Sequence, residues 1–169
     1  MIIKQVENFF PRLELILPEI KKIKLYNQKE FNKFEETSDN WPGFRSLEFR
    51  RTNVFLYELI NNLMFTKKMI DKGSYDITAF LHLRLEEHNT QDWIHKDPAL
   101  FTALIYLSDT NLNSGTYIYD ENNNVINDIK CVQNRFVIFS GDYNHKGYGH
   151  HGNNVQDGRL TFNIFIDNV

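Results

Sequence analysis

The sequence holds 169 residues, 41% of them hydrophobic and 24% charged, with a formal net charge of −3 and a mean hydropathy of −0.47. That length suits one domain with a substantial core, the composition excludes long disorder, and the weak negative charge leaves no footprint for nucleic acid or an acidic membrane surface. Cys131 is the only cysteine, which excludes an intrachain disulfide; with no apolar run of membrane-spanning length and an N-terminal stretch broken by Glu7, Pro11, Arg12 and Glu14, the expected location is the cytoplasm.

Residues 1–51 mix apolar and charged positions, with Pro11, Pro18 and the "WPGF" turn at Trp41 to Phe44 as punctuation; order is expected there, of unspecified type. From Thr52 to Lys72 the spacing of Leu56, Ile60, Leu63 and Met64 predicts an amphipathic helix, capped by Thr52 or Asn53 and closed at Gly73. The period then changes. Ile77, Ala79, Leu81, Leu83 and Leu85 alternate with Thr78, Phe80, His82, Arg84 and Glu86, a strand pattern. Further strands are expected at 100–107, 116–119, 135–139 and 160–166, separated by turn clusters such as "DTNLNSG" and "DENNNVINDIK". With 14 Phe and 8 Tyr, the chain leans toward a mainly β (α+β) fold. The expected division is one domain over 1–169, with a mixed, helical support in 1–76 and a strand-rich core in 77–167, built as a sandwich or barrel.

His95 and Asp97 stand two positions apart in "QDWIHKDPALFTALIYLSD". Residues at i and i+2 of an extended segment point to one side, so both side chains can address one ion. Taken alone the pair is weak evidence, and a solvated loop accounts for it as well. Downstream, "NRFVIFSGDYNHKGYGHHGNNVQDGRLTFNIFIDNV" runs an apolar strand into a histidine, then a Gly-rich loop, then a second apolar strand opened by Arg159. Two imidazoles and one carboxylate make the facial set that suits non-haem Fe(II) and leaves three positions open.

Together these segments resemble the Fe(II)/2-oxoglutarate-dependent oxygenase superfamily, in particular its prolyl-4-hydroxylase-like branch, over roughly residues 77–167. "HKD" matches the family's His-X-Asp, "LIYLSDTNLNSGTYIYD" the strand, loop, glycine and strand that follow it, "RFVIFSGDYNH" the strand delivering the distal histidine, and "GRLTFNIFI" the final strand with its basic residue. The resemblance implies a double-stranded β-helix (jelly roll) with N-terminal supporting helices. It implies an enzyme, a dioxygenase that consumes dioxygen and couples decarboxylation of 2-oxoglutarate to succinate with hydroxylation of a peptide or small-molecule substrate.

By the same resemblance, His95, Asp97 and His145 hold Fe(II). His145 has the strand register in its favour, six residues after Phe139, while His150 matches the more usual separation of nine from Arg159 and His151 adjoins it. Arg159 is implied to bind the distal carboxylate of 2-oxoglutarate, with Thr161 on the same strand face and Tyr106 as a second contact. Trp93 shields the site or packs, Arg84 is a candidate for entering the pocket, His82 and His88 are expected to decorate a strand and a loop, and Cys131 is expected to be an inert small residue. The competing reading is a catalytically silent jelly-roll module holding a metal or another ligand.

Overall fold

Alternation along two long strands decides which way the molecule faces. In β4 (Tyr75–Arg84), Ile77, Ala79, Leu81 and Leu83 turn to one side and Thr78, Phe80, His82 and Arg84 to the other. In its antiparallel neighbour β10 (Arg159–Asn168), Leu160, Phe162, Ile164 and Ile166 share the first side, and Arg159, Thr161, Asn163 and Phe165 the second. The register sets Arg159 opposite Arg84, Thr161 opposite His82 and Asn163 opposite Phe80. One face is therefore apolar along its length, and the other collects the polar groups.

The computed structural model describes residues 3–38, 40–71, 73–149 and 151–169, with the backbone alone for 89–91. Besides β4 and β10, the strands are β1 (Ile3–Val6), β2 (Tyr26–Asn27), β3 (Phe44–Arg45), β5 (Phe101–Tyr106), β6 (Asn111–Tyr119), β7 (Val125–Cys131), β8 (Phe136–Ser140) and β9 (Asn144–Tyr148). The α-helices are α1 (Leu13–Ile20), α2 (Gln28–Glu35), α3 (Phe49–Thr52) and α4 (Val54–Thr66), and a 3-10 turn spans Glu86–Gln91. The strands form two antiparallel sheets, one in the order β1-β8-β5-β10-β4-β3-β2 and one in the order β7-β6-β9. The architecture is a mainly β jelly roll with helices before it, and no helix among the described residues is long and apolar enough to cross a membrane.

The helices cover the apolar face of the larger sheet. Leu56, Ile60 and Met64 of α4, with Phe9, Phe10, Leu13 and Ile20, pack against the inward residues of β4 and β10. The opposite face meets the small sheet through Leu104, Tyr106, Ile118, Ile129, Cys131, Val137 and Phe139, and this second core stops short of the β9 end, where the polar cavity lies.

Several boundaries depart from the sequence pattern for identifiable reasons. The helix expected over 52–72 is α4, which starts at Val54 with Asn53 as its N-cap at φ −148°, ψ 57°, and the short α3 precedes it. It ends at Thr66 rather than near Gly73: Lys68 adopts a left-handed conformation at φ 57°, and Lys68 N and Met69 N donate to the Phe65 and Met64 carbonyls, closing the helix without glycine. Most of "DENNNVINDIK" is strand β7 rather than turn; the turn is confined to 120–124, where Asp120 Oδ1 accepts from the Asn122 and Asn124 amides. The expected strand at 116–119 starts earlier, at Asn111, and a register shift between Asn111 and Gly115 absorbs the polar run. The first 76 residues contribute strands to the large sheet as well as helices.

Phe162 is fully buried, with ring centroids 6.2 Å from Phe10 and 5.3 Å from Phe49. Phe162→Ala is expected to cost about 3–5 kcal/mol, measured as a lowered urea midpoint at unchanged m-value.

Candidate active site

The segment carrying His95 and Asp97 has no strand of its own, yet it is held like one. His95 N donates to His145 O at 3.0 Å and His145 N donates back to His95 O at 2.8 Å, a reciprocal bridge between residues fifty apart in sequence. Asp97 N donates to Gly141 O at 3.2 Å and Gly141 N to Leu100 O at 3.1 Å, extending the seam. Gly141 permits this contact, because a Cβ there would lie 1.9 Å from Ala99 O.

The side chains then converge. His95 Nδ1 lies 3.0 Å from Trp93 O and His145 Nδ1 lies 3.0 Å from Tyr143 O. A carbonyl only accepts, so both Nδ1 atoms carry hydrogen and both Nε2 atoms point toward Asp97. His95 Nε2 is 3.8 Å from Asp97 Oδ1, His145 Nε2 is 3.2 Å from Oδ2, and the three ligand atoms lie within 4.8 Å of one another. Thr102 Oγ1 donates to Asp97 Oδ2 at 2.7 Å and fixes the carboxylate. Burial opposes ionisation of Asp97, but a hydrogen bond and charge from His145 when its Nε2 also carries a proton, then Thr102 and His95, outweigh it and hold the carboxyl below its ordinary range; a metal ion would take that proton's place. Two oriented imidazole nitrogens and one ionised carboxylate suit an octahedral divalent ion with open positions. His151 lies outside this group, its backbone N donating to Glu86 Oε2, and His150 lies outside the described residues.

Beside the cluster a cavity of about 90 Å³ runs from His95, Asp97 and His145 to Arg159, Thr161 and Thr116. Arg159 is 7% exposed; its Nη2 donates to Thr116 Oγ1 at 2.8 Å and its guanidinium lies 5.3 Å from the Tyr106 ring. Among the described residues, Arg159 forms no ion pair. Tyr106 is fully buried behind Thr116, their hydroxyls 2.8 Å apart, and meets the cavity through that threonine and through Arg159. Burial pushes the Tyr106 phenol up, so it remains a donor. Thr116, invisible as a site residue in the sequence, is the pivot; its signal was the position after Gly115 on a strand whose alternate residues face inward.

Thr161 Oγ1 donates to Asn163 Oδ1 at 2.8 Å, Asn163 Nδ2 donates to His82 Nδ1 at 3.3 Å, and His82 Nε2 donates to Pro42 O at 2.7 Å. His82 is therefore a buried neutral imidazole under the site rather than a surface decoration. Desolvation first, then the Arg45 charge, holds it well below the ordinary imidazole value against the opposing bond to Pro42, with Arg84 and Arg159 adding to the effect. His88 is buried too, accepting from Leu85 N at 3.0 Å. Arg84 enters the narrow cavity as the strand pattern allowed, and its Nη1 donates to Asp92 Oδ2 at 2.5 Å. Gly147 leaves the room these groups need, since a Cβ there would fall 2.4 Å from Arg159 Nη1 and 2.9 Å from Arg84 Nη1. Cys131 is buried, with its thiol pushed up by desolvation.

A wider cavity of about 480 Å³ opens over the same His95 and Asp97, walled by Trp41, Pro42, Arg45, Phe80, Trp93 and Phe165. Trp93 thus faces this space.

No protein-family model and no curated protein matches the chain. Solved structures do. A prolyl-4-hydroxylase from Pseudomonas putida is 13% identical, with 99% of this chain and 92% of that one covered at a TM-score of 0.59. A 2OG-Fe(II) oxygenase family oxidoreductase from Burkholderia pseudomallei is 13% identical, with coverages of 98% and 84% at 0.64. HygX from Streptomyces hygroscopicus, solved with nickel, 2-oxoglutarate and hygromycin B, is 10% identical, with coverages of 98% and 82% at 0.67. At these identities the likeness establishes a shared fold.

Removal of any member of the cluster is expected to abolish binding of Ni(II) in calorimetry: Asp97→Ala and His145→Ala lose it, whereas His151→Gln keeps it. A second expectation concerns acid. The folded chain keeps His82 neutral while the unfolded chain takes up a proton below the usual value of 6.5. That stability is complete above this value and is lost as pH falls through it, by up to ~1.4 kcal/mol per pH unit. His82→Gln should flatten the slope between pH 7 and pH 5 in denaturation series, leaving a remainder from His88, which burial lowers in the same direction.

Proposed function

We propose that this chain is an Fe(II)- and 2-oxoglutarate-dependent dioxygenase that hydroxylates a C–H bond of a peptidyl or small-molecule substrate. His95, Asp97 and His145 hold the metal, and Arg159, Thr161 and Tyr106 serve the cosubstrate. One observation carries the reading: Arg159, a buried guanidinium without an ion pair among the described residues, lines the same narrow cavity as the His-Asp-His cluster. An uncompensated buried cation is costly, and an anion whose other end reaches the cluster removes that cost.

When bound, ferrous iron would supply the oxidation, in which dioxygen and 2-oxoglutarate yield succinate and carbon dioxide and the remaining oxygen atom enters a substrate C–H bond. The residues position and shield. Trp93 O and Tyr143 O aim the two Nε2 lone pairs, Thr102 fixes Asp97, and Arg159 grips a carboxylate with its planar fork. Thr161 is able to exchange its bond to Asn163 for one to that carboxylate, and Tyr106 contributes through Thr116. Phe80, Phe165 and Trp41 supply the apolar part of a wall above the cluster that Asn40, Arg45, Asp92 and Lys96 complete. Relatives of this fold accept different partners. One solved neighbour is a prolyl hydroxylase from Trichoplax adhaerens in complex with a hypoxia-inducible-factor peptide fragment, and HygX holds hygromycin B.

The test is succinate formation dependent on both Fe(II) and 2-oxoglutarate, together with an anaerobic visible band when the two are added. Arg159→Lys, which keeps the charge and loses the fork, is expected to weaken 2-oxoglutarate about 10- to 100-fold, the range for charge-assisted hydrogen bonds. A wild-type chain that neither decarboxylates 2-oxoglutarate nor develops the band is a silent binding module.

A further inference from the structure

Between the narrow and the wide cavity stands a short strap, Trp41 to Gly43, whose first two residues line both. It lies close on β4: Gly43 adopts φ +103°, and a Cβ there would fall 2.3 Å from Leu83 O and 3.2 Å from His82 Nε2. The Trp41 ring meets the His82 ring edge-on, centroids 5.7 Å apart, and its buried indole N–H has no acceptor among the described residues. The Pro42 carbonyl accepts from His82 Nε2 at 2.7 Å. His82 thus ties the strap to the sheet in which Thr161 is its partner on the next strand.

That bond fixes each hydrogen between the strap and the narrow cavity. A carbonyl only accepts, so Nε2 carries the hydrogen and Nδ1 of the neutral ring is an acceptor. Asn163 must then turn its amide NH2 to His82 and its Oδ1 to Thr161, and Thr161 directs its only hydroxyl hydrogen to Asn163. Burial, then the Arg45 charge, with Arg84 and Arg159 behind it, opposes the extra proton that would let both ring nitrogens donate, although the Pro42 bond favours it. Thr161 therefore turns lone pairs to the narrow cavity, and these repel a carboxylate. A carboxylate held at Arg159 is served by the opposite arrangement. Thr161 donates to it, Asn163 turns over to donate to Thr161 Oγ1, and Asn163 Oδ1 faces Nδ1, which then carries the hydrogen. Without that turn, Asn163 Oδ1 is left without its donor, a cost that favours the turn. With the hydrogen on Nδ1, Nε2 of a neutral ring presents only a lone pair, and Pro42 O loses its donor.

We propose that Thr161, Asn163 and His82 form a two-state relay by which a carboxylate bound at Arg159 releases the Trp41–Gly43 strap, so that filling the narrow cavity opens the wall of the wide one. This rests on the oxygenase reading for the identity of the carboxylate, 2-oxoglutarate. One proton leaves Nε2 as one reaches Nδ1, so the ring stays neutral and the charge of the chain is unchanged. Asn163 and His82 act through Thr161 and Pro42 and are positioning residues. The coupling is reciprocal: a ligand of the wide cavity that displaces the strap tightens the hold on the carboxylate.

Two readouts test this on the full chain, with Zn(II), which is diamagnetic, as the metal. In a chain grown with isotope-labelled histidine, nitrogen NMR shows which ring nitrogen of His82 carries hydrogen, its signals being assigned by their absence from His82→Gln. In Trp93→Phe, Trp41 is the only tryptophan, and acrylamide quenching of its fluorescence reports how exposed the strap is. Saturating 2-oxoglutarate, its binding followed by calorimetry, is expected to move the hydrogen from Nε2 to Nδ1. It should also raise the Trp41 quenching constant about twofold or more, as a shift of the strap from mostly closed to mostly open requires. Thr161→Ser keeps both responses; Asn163→Leu, which cuts the relay, still binds 2-oxoglutarate and loses both. The proposal is overturned if His82 keeps its hydrogen on Nε2 at saturation, if Trp41 quenching does not change, or if Asn163→Leu responds as the wild type does. Iron-dependent succinate formation alongside any of those results leaves the oxygenase reading standing and the relay fallen. A relay that answers 2-oxoglutarate in a chain that does not turn it over does the reverse, and absence of 2-oxoglutarate binding sinks both.

Discussion

Two backbone hydrogen bonds between His95 and His145 hold the candidate site together. The segment before β5 and strand β9 come from distant parts of the chain, and neither presents a cluster alone. The reciprocal bridge sets their separation, and with the backbone pinned each imidazole needs only one further bond, from Nδ1 to a carbonyl two residues earlier, to be aimed. Orientation therefore comes from main-chain geometry, which side-chain mobility does not erode. The same construction appears twice, at Trp93 and at Tyr143, so the two nitrogens approach Asp97 with matched tautomers.

Electrostatics around this bridge divide into a compensated and an uncompensated half. Arg84 and Asp92 neutralise one another in a dry pair, and His82 avoids charge by being the acceptor of Asn163 and the donor to Pro42. Arg159 has a hydroxyl and an aromatic ring as neighbours, neither of which cancels a full charge. Among the described residues this buried cation has no opposing charge, and it stands at the end of a cavity whose other end is a cluster of ligand atoms, an arrangement typical of binding sites.

Much of this was legible in the residues. The period-two runs of 77–84 and 160–166 gave strand identity and the facing of Arg159 and Thr161, because alternation on a half-polar sheet is a direct record of burial. His95, Asp97 and His145 were readable as a set, and the structure brings these three together. What escaped was local or relational. Strand β7 hid in an Asn-rich run whose composition says turn but whose pairing with β6 overrides it. The end of α4 was masked by a lysine doing what glycine usually does. Thr116 and the Arg84–Asp92 pair depend on which strands adjoin, information that no single segment contains. Tyr106 stands one layer further from the cavity than its position in "LIYLS" suggested, since only neighbouring strands reveal that Thr116 intervenes.

Gly141 touches no ligand atom and carries no chemistry, yet a single methyl group there would collide with the Ala99 carbonyl and lift the His-X-Asp segment off its seam. The room left by an absent side chain thus sets how closely two distant segments approach, and the spacing of the three donors depends on a hydrogen atom as much as on the donors themselves.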